Sequence, residues 1–161
     1  MDLFDNSFIK FRNIKIFING LPDNQFKYSK FLKDNNIHYI VKLCDETNKN
    51  TEFIKNLKLI NFFELIYKDG YIPDNYIINK WLDIINDACL NNYNVFIHCL
   101  SGLGRAPLLV CILLIINTNE KKHLIIEKIR KIRKNALNKV QLNYFMNKKW
   151  KNKKSYCCQI Q

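Results

Sequence analysis

The chain has 161 residues, 48% of them hydrophobic and 13% aromatic, which suits one domain with a real core and excludes a disordered or fibrous chain. Lys and Arg number 26 against 14 Asp and Glu, and the whole formal excess of +12 lies between Lys121 and Lys154, where thirteen basic residues meet one acid, Glu127. A neutral body with a basic C-terminal third implies a surface that meets lipid, nucleic acid or an acidic protein. Phe8 to Ile18 (FIKFRNIKIFI) alternates and is β-branched, which predicts a strand or hairpin. Asn19 to Asp23 reads as a turn, and Gln25 to Asn35 has helical spacing. Ile37 to Leu43 predicts a buried strand ending at Cys44. Leu57 to Leu65 predicts another, followed by a loop with Asp69, Gly70 and Pro73. Asp74 suits the cap of a helix whose apolar stripe is Ile77, Ile78, Trp81, Leu82 and Ile85. Val95-Phe96-Ile97 is a short apolar strand. Arg105 to Ile116 is apolar nearly all round, a buried helix with Pro107 in its first turn. His123 to Lys134 and Val140 to Lys149 predict two more helices. Strands alternating with helices give an α/β class with a central, mainly parallel sheet flanked by helices. The domain is expected over residues 1–149, with residues 150–161 as a basic tail.

The six cysteines are Cys44, Cys89, Cys99, Cys111, Cys157 and Cys158. Asp2 and Asp5 stand where a secretory signal carries base, and position 2 is not Gly, as N-myristoylation requires. The longest apolar run, Ala106 to Ile116, is 11 residues, too short to span a bilayer. The expectation is an intracellular chain with reduced thiols, not a disulfide framework.

The segment His98-Cys99-Leu100-Ser101-Gly102-Leu103-Gly104-Arg105 lies between the short strand and the buried helix and holds two of the four glycines. A strand, a glycine-bearing loop and a helix N-terminus form an anion cradle of backbone N–H groups backed by the helix dipole. Cys99 opens that loop, where the field favours thiolate; such cysteines have pKa values of roughly 3.5–7.5. Arg105 closes it with a planar guanidinium that grips two phosphoryl oxygens and keeps its proton. An ionised sulfur beneath a phosphate cradle is suited to attack on phosphorus, giving a cysteinyl-phosphate. A nucleotide P-loop is excluded, because no Lys-Ser/Thr follows the glycines. Zinc is disfavoured, because His98 and Cys99 adjoin and no second ligand pair has suitable spacing, and the chemistry calls for no metal or cofactor.

That segment resembles the signature of cysteine-dependent protein tyrosine and dual-specificity phosphatases. Gly102-Leu103-Gly104-Arg105-Ala106-Pro107 is similar, more narrowly, to the phosphatases of regenerating liver, the type IVA protein tyrosine phosphatases. The likeness continues in Val41 to Cys44, in Ile129 to Phe145 and in the Cys-Cys-x-x-Gln ending. It implies a compact dual-specificity phosphatase fold, with Cys99 as nucleophile, Arg105 as phosphate clamp and Leu100 to Arg105 as phosphate-binding loop. Asp69 matches the general acid that protonates the leaving phenolate. Cys44 matches the cysteine that forms a reversible disulfide with the nucleophile, shielding it from overoxidation. The family's acid loop has Trp-Pro-Phe before an Asp pair, whereas this chain reads Leu65-Ile66-Tyr67-Lys68-Asp69, with Lys68 in place of the first Asp. Ala106 stands where most relatives carry a hydroxyl that helps thiolate departure, which implies a slow second step. Phosphoinositide phosphatases of the tensin type carry Lys where this chain has Leu100 and Leu103, two residues expected to make the loop floor apolar.

Cys158-Gln159-Ile160-Gln161 forms a prenylation box whose final Gln favours farnesyl, and Cys157 offers a second lipid site. Lys148, Lys149, Lys151, Lys153 and Lys154 lie just upstream, and one lipid with a polybasic patch anchors stably. About 1 kcal/mol per basic residue near an anionic leaflet is the expected scale. Trp150 suits the headgroup level. The basic third is thereby directed to lipid, at the cytoplasmic face of plasma or endosomal membranes, and not to nucleic acid, for which no zinc finger or aromatic RNA-binding motif is present. The expected activity is hydrolysis of phosphotyrosine or phosphoserine/threonine in protein substrates. The rivals are a phosphoinositide phosphatase and a phosphatase-fold binding module; for the latter, the resemblance implies a magnesium-transport mediator as partner.

Overall fold

The computed structural model describes residues 7–46, 53–55 and 57–151; the expected lipidation sites Cys157 and Cys158 lie outside them. Strands β1 (Phe8–Phe11) and β2 (Ile14–Asn19) form an antiparallel hairpin with Phe8 opposite Phe17 and Phe11 opposite Ile14. Strands β3 (Ile37–Lys42), β4 (Asn61–Glu64) and β5 (Asn94–His98) complete a five-stranded sheet of order β1-β2-β5-β3-β4, parallel from β2 onward. The mainly parallel sheet expected from the alternation is therefore present.

The period of two, broken in β3 by a register shift between Ile37 and Tyr39, divides each central strand between two cores. Ile16, Ile18, Tyr39, Val41, Val95 and Ile97 face the larger one, shared with helices α2 (Asn75–Asn91), α3 (Arg105–Asn117), α4 (Lys122–Ile132) and α5 (Lys139–Asn147). Phe17, Ile37, Ile40 and Phe96 face the other, which packs against Tyr28 and Leu32 of α1 (Gln25–Asp34). Helix α3 is buried almost all round, which is why its apolar residues show no polar face. Asp74 caps α2 as expected, accepting from the Ile77 amide at 2.8 Å. Lys122 turns inward: its Nζ donates to the Met146 and Lys148 carbonyls at the end of α5, at 2.6 and 2.9 Å.

The strand expected over Leu57 to Leu65 is confined to Asn61–Glu64. Residues 57–60 instead turn, the Ile60 amide bonding the Leu57 carbonyl at 3.1 Å. Leu57 and Ile60, three apart, pack against the α1-side core while Leu59 is exposed, so this run follows a turn's spacing and not a strand's. Helix α4 also ends at Ile132, ahead of the expected Lys134, because Arg133 leaves the helical line to reach the phosphate loop.

The parallel strands end together. Asn19, His98, Lys42 and Glu64 stand in register across β2, β5, β3 and β4 at the carboxyl edge of the sheet, where ligands of open α/β sheets bind.

Candidate active site

β5 ends at His98, and the chain turns through residues 99–104 before α3 begins at Arg105. Cys99 is buried, and the Gly102 amide donates to its Sγ at 3.3 Å. Four of the loop's carbonyls, those of residues 100–103, are tied to surrounding structure. Leu100 O accepts from the Leu21 amide at 2.9 Å, and Leu103 O from the Leu137 amide at 2.8 Å. Ser101 O and Gly102 O accept from Arg133 Nη2 and Nε at 3.1 and 3.2 Å. With these carbonyls tied down, the loop amides other than that of Leu103, which donates to Ser101 Oγ at 3.3 Å, can serve the sulfur and an anion above it. No side chain caps α3 at Gly104, so its first N–H groups belong to the same cradle. Gly102 adopts φ +72, in the left-handed region. Leu100 and Leu103 are 45% and 38% exposed and form the outer rim of the loop, which corrects the expectation of an apolar floor. The floor is taken by Cys99 Sγ, the amides and Arg105.

Arg105 is 3% exposed and joins three segments. Its Nη1 donates to the Leu43 carbonyl beyond β3 and to the Tyr67 carbonyl, both at 3.0 Å. Its Nε lies 3.1 Å from Asp69 Oδ1. Its Nε, though ion-paired there, and its Nη2 are both buried without a hydrogen-bond acceptor and are the donors suited to two phosphoryl oxygens. The structure thus brings Cys99, Arg105 and Asp69 together across the phosphate loop and the segment after β4.

Cys44 follows β3 as a buried free thiol. Burial pushes its pKa up to about 11, with Glu46 adding and Arg105 opposing. It is close enough to Cys99 for the two to interact electrostatically. At neutral pH Cys44 is protonated, so it is not itself a second nucleophile in the resting site.

His98 is buried at the end of β5, and its pKa falls to about 4 through desolvation, the Lys42 and Arg105 cations adding to the effect. Folded protein keeps the ring neutral, whereas the unfolded chain protonates it near pH 6.5. Stability should therefore fall as pH drops from about 6.5 to about 4, by about 3 kcal/mol in all from this group. Urea unfolding at pH 7, 5 and 4 should show this acid lability reduced in His98→Asn; equal pH slopes for the two proteins would refute it.

Several residues of the site carry no local signal. Arg133 sits in a Lys- and Arg-rich stretch where one more cation looks like a solvated face. Tyr67 sends its hydroxyl to the Arg105 carbonyl at 3.0 Å, a bond across 38 positions. Asn138 and Gln141 reach the loop after Asp69, at Gly70 and Tyr71. The similarity of Ile129 to Phe145 to its family was the only pointer to this region, and it named no role.

A family model for the dual specificity phosphatase catalytic domain matches residues 21–152. The chain is 37% identical to "Probable protein tyrosine phosphatase type IVA B" of Dictyostelium discoideum, over 83% of this chain and 80% of that protein. It is 31% identical to PRL-1 phosphatase of Drosophila melanogaster, over 84% and 78% respectively. A solved protein tyrosine phosphatase from Leishmania major superposes with a TM-score of 0.72 at 25% identity, covering 84% of this chain and 88% of that one. With a sheet, a cradle and relatives that agree, the chain belongs to the dual specificity phosphatase family, in its type IVA or PRL branch of protein tyrosine phosphatases.

Proposed function

We propose that this phosphatase cleaves phosphate monoesters of proteins through a cysteinyl-phosphate on Cys99 and that the second step is slow. The observation that carries this reading is Cys99 Sγ bonded by the Gly102 amide in the same site as a guanidinium with two buried donors, Nε and Nη2, that have no hydrogen-bond acceptor. In the first step the thiolate forms an S–P bond as the P–O bond to the substrate breaks, and Asp69 gives its proton to the departing oxygen. Loop amides and Arg105 bear the charge on the equatorial oxygens. In the second step water attacks phosphorus, Asp69 takes its proton, and the S–P bond breaks to return thiolate and inorganic phosphate. Ala106 offers no hydroxyl to the departing sulfur, which supports slow hydrolysis.

The remainder of the reading concerns place and control. Farnesylation of Cys158, aided by Cys157 and the basic tail, would hold the domain at the cytoplasmic face of a membrane. Cys44 would close a reversible disulfide with oxidised Cys99; its raised pKa makes that closure faster at alkaline pH. The rival reading, a pocket that grips a partner such as a magnesium-transport mediator, draws on the same Arg105 and slow turnover.

Mass spectrometry of protein quenched with an aryl phosphate tests the mechanism. A phosphate adduct on Cys99 is expected in the native protein and absent in Cys99→Ser, which should lose phosphate release by at least ~10³-fold. Rapid multiple turnover with no trapped phosphate would sink the slow step. Turnover that survives in Cys99→Ser would sink the nucleophile assignment.

A further inference from the structure

Asp69 is held against Arg105, its Oδ1 3.1 Å from Arg105 Nε. The Asp69 side chain is 69% exposed, so burial does not fix it. The hold comes from the far side of the loop. Asn138 Nδ2 donates to the Gly70 carbonyl at 3.1 Å, and Gln141 Nε2 donates to the Tyr71 carbonyl at 3.3 Å. Gly70 has φ +75, and a Cβ there would stand 3.4 Å from Asn138 Nδ2.

Both donors belong to one built unit. Asn138 is the N-cap of α5, its Oδ1 accepting from the Gln141 amide at 2.9 Å, while Gln141 Oε1 accepts from the Asn138 amide at 3.2 Å. Gln141 is fully buried and lies against Gly104, where a Cβ would meet its Nε2 at 3.1 Å. The cap of α5 thus touches the phosphate loop on one side and the Asp69 loop on the other. Asn138 uses its two amide atoms for two tasks: the oxygen holds the helix, and the nitrogen holds Gly70.

We infer that Asn138 is a positioning residue for the general acid: its Nδ2–H on the Gly70 carbonyl keeps the preceding residue, Asp69, at the Arg105 edge of the site. This rests on the reading of Asp69 as the acid. A neutral hydrogen bond of this kind shifts a loop population by up to about tenfold.

The two tasks of Asn138 can be separated. Ser is as good an N-cap as Asn, so Asn138→Ser preserves α5 but cannot reach Gly70. In the full chain, kcat/KM, which reports the first step, is compared for phenyl phosphate and for an aryl phosphate with an acidic phenol. Asp69→Asn should lose about 10²-fold on phenyl phosphate and far less on the activated ester, because only the poor leaving group needs a proton. Asn138→Ser should follow the same selectivity at about tenfold, with an unchanged melting temperature. A structural role alone would lower both substrates together or lower the melting temperature, and either result overturns the proposal. If Asp69→Asn is selective and Asn138→Ser is not, Asp69 remains the acid and only the positioning role falls. If Asp69→Asn shows no selectivity, the acid assignment fails and the positioning role goes with it.

Discussion

Arg105→Lys is expected to lower kcat/KM by about 10³-fold while the chain still folds. Lysine keeps the charge, so the loss reads out geometry. The guanidinium works in three directions: Nη1 donates to Leu43 and Tyr67, Nε lies within ion-pair distance of Asp69, and Nη2 is left to the site. One ammonium cannot serve all of them from a single position. The Leu43 and Tyr67 carbonyls would compete for it, costing about 1–3 kcal/mol of stability where one goes unmet. The measurement is steady-state kinetics with an aryl phosphate, beside a thermal melt. A variant within a few-fold of the native rate would show that point charge suffices and that the fork is irrelevant.

Gly102→Ala should be nearly as damaging, for a different reason. Gly102 has φ +72, which costs an L-residue roughly 1–2 kcal/mol. Its new methyl carbon would also lie 2.5 Å from Arg133 Nη2 and 2.6 Å from the Asn19 carbonyl carbon. Arg133 can swing away, but the backbone of β2 cannot. Relief must come from the loop itself, and moving residue 102 withdraws the amide that bonds Cys99 Sγ. Activity should fall at least ~10²-fold, as when an oxyanion donor is lost. Vanadate affinity should fall with it. Native vanadate binding in Gly102→Ala would mean that the cradle tolerates the shift and that this glycine matters less than its contacts suggest.

Much of this molecule could be read from residue order because its chemistry is local. Cys99, the two glycines and Arg105 fall within one turn between a strand and a helix, and the patterns on both sides are unambiguous. Asp74 announced its helix by capping it. The elements that escaped are those defined by partners far along the chain. Residues 57–60 were apolar enough for a strand, and only the α1-side core shows that they turn. The polar row of Asn19, His98, Lys42 and Glu64 exists only because four strands end in register. Arg133 and Asn138 are ordinary residues in sequence. They gain a role because the connection between α4 and α5 passes under the phosphate loop, with Leu137 in the left-handed region at φ +69 aiming its amide at Leu103.

The inward turn of Lys122 and Arg133 changes what the C-terminal third can offer to its surroundings. Of the thirteen cations between Lys121 and Lys154, these two already neutralise carbonyl dipoles of the protein itself. Were the proposed membrane anchoring to hold, vesicle binding titrated with salt should register fewer ionic contacts than a tally of basic letters suggests. Removing Lys122 or Arg133 would loosen the domain before it altered any attraction to acidic headgroups.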